Sequence, residues 1–167
     1  MPFTAHPGAS YNVIGSFNDF FQTQVTAKGL PDFMPSAVVN FDWPNQPLTF
    51  PSFSVTHLGS EVREVAQGRH LDPGWKGAEQ IGIAEVDVWE SYQRASGNHW
   101  RNIRIMADMA RRVFATGAAI PILDIYGSTA SPTGTGTVVR VGPMREAPLG
   151  LEPNPDVVRI RLLTEYR

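Results

Sequence analysis

Apolar residues recur along this chain with two different periods, and the periods mark its elements. Ile14, Phe17, Phe21 and Val25 are spaced by three and four, one stripe of an amphipathic helix predicted over Tyr11 to Lys28. Ser10 is placed to cap that helix, and Gly29 and Pro31 stop it. A turn follows over Pro31 to Pro35, then a strand over Ala37 to Trp43 and the restricted turn Pro44-Asn45-Gln46-Pro47. In Pro51 to Leu58, Phe53, Val55 and His57 alternate with Ser52, Ser54 and Thr56, the period of a half-buried strand. Gly59 to Gly77 is polar and punctuated by glycine. A strand continuation, a long hairpin tip and a flap all fit it.

The clearest strand is Ala78 to Tyr92. Ile81, Ile83, Glu85, Asp87 and Trp89 share one face, and Gly82, Ala84, Val86, Val88 and Glu90 share the other. A second helix is predicted over Asn98 to Thr116, capped by Asn98 and closed by Gly117, with Ile103, Met106, Ala110, Val113 and Phe114 as its buried stripe. Arg104–Asp108 and Asp108–Arg112 are the i,i+4 pairs expected along it. Ala119 to Tyr126 reads as a strand interrupted early by Pro121, and Thr137 to Val141 as another. The last strand is Val157 to Leu163, with Val158, Ile160 and Leu162 on one face and Arg159 and Arg161 on the other. Met1 to Ala9 reads as an arm, and the Gly/Ser/Thr/Pro-rich stretches 127–136 and 142–155 as mobile loops. Strands gathered on either side of one helix predict an α+β fold, an antiparallel sheet with two main helices packed on one face. No repeat or linker divides the chain, so residues 1–167 are expected to form one domain.

Composition narrows the function classes. Hydrophobic residues make up 42% of the chain, enough for a core. Charged residues make up 18%, below the usual roughly 25%. A surface with few charges suits a protein partly covered by partners. A net charge of −2 offers no global basic field for nucleic acid. With no cysteine, thiolate metal sites and disulfides are excluded. The first residues lack the basic and apolar regions of a signal peptide, and no apolar run reaches the ~20 residues of a membrane span.

No catalytic motif is present. His6, His57, His70 and His99 are far apart, without ligand spacing, so no metal and no cofactor is expected. Glu85 and Asp87 lie on one strand face, roughly 7 Å apart by strand rise. Paired carboxylates can do acid–base work, alone or with His57, or hold a cation. They can equally pair across strands with Arg159 and Arg161, within a subunit if the strands are neighbours and between subunits if they are not. These four residues, with Trp75, are the candidate interface set. Exposed pairs contribute only about 0–1 kcal/mol, so Asp87→Arg is expected to spare folding and impair assembly. Arg101, Arg104, Arg111 and Arg112 give the second helix a basic outer side. Trp89 and Trp100, flanking the strand-to-helix turn, are expected in the core. Trp75, in the loop Asp72-Pro73-Gly74-Trp75-Lys76-Gly77, is a candidate contact hot spot.

The whole order resembles the tail-terminator (tail-completion) proteins of long-tailed bacteriophages. The resemblance runs over almost the entire chain: a first helix, strands that include Phe41-Asp42-Trp43-Pro44 and Pro51-Ser52-Phe53-Ser54-Val55, the strand Ala84-Glu85-Val86-Asp87-Val88-Trp89 running into a helix, then a strand, a Gly/Thr loop and a last strand. It implies a non-enzymatic virion protein of the tail or neck, assembled in the host cytoplasm. Copies of the chain would form a ring of six, with the tail tube protein and the head-tail connector protein as partners. Packaged DNA would pass through such a ring without being recognised by sequence. The alternatives are another neck or tail-tube subunit, and a small α+β ligand-binding or hydrolytic enzyme built on Glu85, Asp87 and His57.

Overall fold

A computed structural model describes residues 10–34, 39–41, 49–64, 70–72, 75–76, 78–94, 97–124, 131–132, 138–148 and 155–167. The predicted arm, 1–9, lies outside the described residues, as do 149–154 and most of 127–136.

Helix α1 spans Ser10–Ala27, one residue earlier than its apolar stripe requires, so Ser10 is inside it. Gly29 follows in the left-handed conformation, φ 77°, as the stop signal demands. Strands β1 (Val39–Phe41), β2 (Ser52–Glu64), β3 (His70–Asp72), β4 (Trp75–Lys76) and β5 (Ala78–Ser91) precede α2 (His99–Val113). Strands β6 (Ala119–Pro121), β7 (Leu123–Asp124), β8 (Ser131–Pro132), β9 (Val138–Glu146) and β10 (Val157–Tyr166) follow it. The main sheet has the order β1-β2-β5-β10-β9-β6. Five of its strands are antiparallel neighbours, and only β1 joins in parallel, along Phe53–Val55 of β2. The fold is α+β, as the grouping of strands around one helix predicts.

One face of the sheet is apolar. Phe53 and Val55 of β2, Ala84, Val86 and Val88 of β5, and Ile160 and Leu162 of β10 are fully buried there. Register places them side by side, with Phe53 and Ile160 both opposite Val88. The helices cover this face. Phe17 and Phe21 of α1 meet Phe114, just after α2, at ring distances of 5.5 and 5.2 Å, and Phe21 meets Phe53 edge-on at 4.9 Å. Ile103, Met106 and Ala110 of α2 complete the core. Tyr166 lies over Gly82, whose missing Cβ would come within 2.2 Å of the tyrosine ring. Burial pushes the Tyr166 phenol up to about 12.

Several predicted details differ. Strand β9 continues to Glu146, so 142–146 is strand and not loop. Gly142 fits because a Cβ there would lie 3.0 Å from the Glu165 carbonyl oxygen. Strand β10 continues past Leu163 to Tyr166. In the predicted loop 127–136, Ser131 and Pro132 form β8 and pair with β7. The Arg104–Asp108 and Asp108–Arg112 pairs are replaced by a longer-range arrangement. Arg104 and Arg111 both reach Glu146 of β9 at 2.9 Å, and Arg111 also holds Asp108 at 3.0 Å. Asn98 precedes α2 but makes no capping hydrogen bond with its side chain. Trp100 is 45% exposed, so it lies outside the core; Trp89 is buried, but on the face of the sheet away from the helices. Among the described residues, no helix is long and apolar enough to cross a membrane.

Candidate functional site

The face of the sheet away from the helices carries the pairs among Glu85, Asp87, Arg159 and Arg161. Antiparallel register sets Arg159 opposite Trp89 and Arg161 opposite Asp87, with Ser54 opposite Asp87 and Thr56 opposite Glu85 from the other side. The strands are neighbours, so the acids and arginines meet within one chain. Arg159 donates to both oxygens of Asp87, at 2.9 Å from Nε and 2.7 Å from Nη2. Its Nη2 also donates to Glu85 Oε1 at 3.0 Å. Arg161 grips the other oxygen of Glu85, 3.0 Å from Nε and in closer contact through Nη2. The Arg159 guanidinium stacks 4.6 Å from the Trp89 ring centre, and Trp89 Nε1 donates to Ser54 Oγ at 3.1 Å.

This ladder is closed to water. Glu85 and Asp87 are completely buried and the Arg159 side chain is nearly so; only Arg161 keeps real exposure, at 38%. Burial pushes the Asp87 carboxyl up to about 7; the facing Arg159 opposes that rise and the neighbouring Glu85 adds to it. Both carboxylates already accept from arginine on both oxygens, so neither is placed to activate a water or take a cation. His57 lies on the other face, paired with Ala84 and 6.1 Å from the Tyr166 ring. The sheet therefore separates His57 from Glu85 and Asp87. Among the described residues, no cluster of three or more potential metal ligands is found. Trp75 lies in the short strand β4, paired to Asp72, rather than in an open loop.

Two features were not singled out in the sequence. Glu90 is fully buried on the helix side, where it accepts from Arg94 at 3.1 Å and from Asn102 Nδ2 at 3.2 Å. Arg94 in turn holds the Phe33 carbonyl at 3.1 Å, tying the turn after α1 to the segment that leads into α2. The Glu90–Arg94 spacing was the available signal. The second feature is a basic strip. Arg140, Arg145 and Arg167 are exposed on the outer face of β9 and β10 beside half-exposed Arg161, with Glu165 as the one exposed acid among the described residues of that strip. None of Arg140, Arg145 and Arg167 has a carboxylate partner among the described residues.

No protein-family model matches the chain, and no curated protein sequence matches it.

Proposed function

We propose that this chain is a structural virion protein, a tail terminator whose copies close into a ring of six on the end of the tail tube. The ring would meet the tube protein on one side and the head-tail connector on the other. The observation that carries this reading is the order of elements. Helix α1, strand β2, strand β5 running into α2, and the last strands β9 and β10 come in the order on which the resemblance of the sequence to the tail-terminator proteins rests. A ring of identical chains needs a heterologous contact that closes on itself, and the exposed basic strip supplies one half of such a contact. The hydrolytic alternative draws no support from the geometry, because His57 and the two acids lie on opposite faces of the sheet.

Native mass spectrometry of the purified chain, alone and with tail tube protein, tests the proposal. The expected result is a ring-sized species. A chain that stays monomeric even inside its natural complex would overturn it. A stack that grows without limit would assign it to the tube rather than to the terminator.

A further inference from the structure

We draw no further inference here: the strongest candidate, the open cleft of about 540 Å³ between the turn after α1 and the first turns of α2, lined by Asp32, Arg94, Asn98 and Arg101, rests on the N-terminus of α2, on an arginine already held by Glu90 and on exposed side chains, and nothing in the structure points to the ligand it would take.

Discussion

Asp87 carries the least comfortable charge among the described residues. It is fully buried, and desolvation outweighs the arginine that faces it, so its carboxyl titrates at about 7 instead of 3.8. The folded chain thus holds a proton there that the unfolded chain has released. Stability from that proton is fully present below the ordinary carboxylate range and is lost as pH rises through about 7. Asp87→Asn removes the group, so the melting temperature of the variant should gain on the wild type as pH goes from about 5 to 8. Thermal melts across that range check it; a constant difference would show that Asp87 is ionised throughout. Asp87→Arg, read from the sequence as sparing the fold, is now expected to unfold it. It would leave Arg159 and a new cation together in a dry site, and breaking a buried pair costs about 3–5 kcal/mol. The pairing itself was legible, because Glu85, Asp87, Arg159 and Arg161 share a two-residue spacing on strands. Their burial was not. Nothing in the local pattern says that the face opposite the helices is shielded as well.

Elements were legible where one face is apolar and the other wet. Both helices lie where their stripes place them, and β5 runs over the residues its alternation marks. The misplaced ends share a cause. Strand β2 continues past Leu58, one of the readings left open for Gly59 to Gly77, because β5 supplies a partner for each residue from Gly59 to Glu64; the polar sequence there has no apolar alternation to single that reading out. Strand β9 continues through Gly142 and Pro143, which read as a loop. Beyond Arg140, however, β6 no longer flanks it, and strands tolerate proline at an open edge. The Glu146 clamp on Arg104 and Arg111 depends on that continuation, which is why local i,i+4 spacing missed it. At the same scale, α1 is held to the rest of the fold by its phenylalanines. Phe21 is fully buried against Phe53 and Phe114. Phe21→Ala removes both ring contacts and leaves a cavity, a loss of about 3–5 kcal/mol. Urea unfolding should show the midpoint fall with an unchanged slope; a loss below about 1 kcal/mol would mean that α1 contributes little to the fold.

Across the whole molecule, stability is unevenly spread, and the unevenness sets a test that needs no mutation. The core half of the β2–β5 pair lies between β10 and β1 under two helices, so its amides should open only when the chain unfolds. The outer half, Ser60 to Glu64 against Ala78 to Gly82, has no flanking strand among the described residues, so local opening there exposes little apolar surface and costs correspondingly little. Hydrogen exchange of the isolated chain should therefore divide one continuous ladder in two, slow along Ser52 to Thr56 and fast along Ser60 to Glu64. If copies join through the arm, assembly should slow the outer half and leave the inner half unchanged. Slow exchange in the arm of the isolated monomer would mean that the ribbon is stabilised within its own chain. Fast exchange that persists in the assembled particle would mean that the arm points into solvent and that the ring closes through another surface.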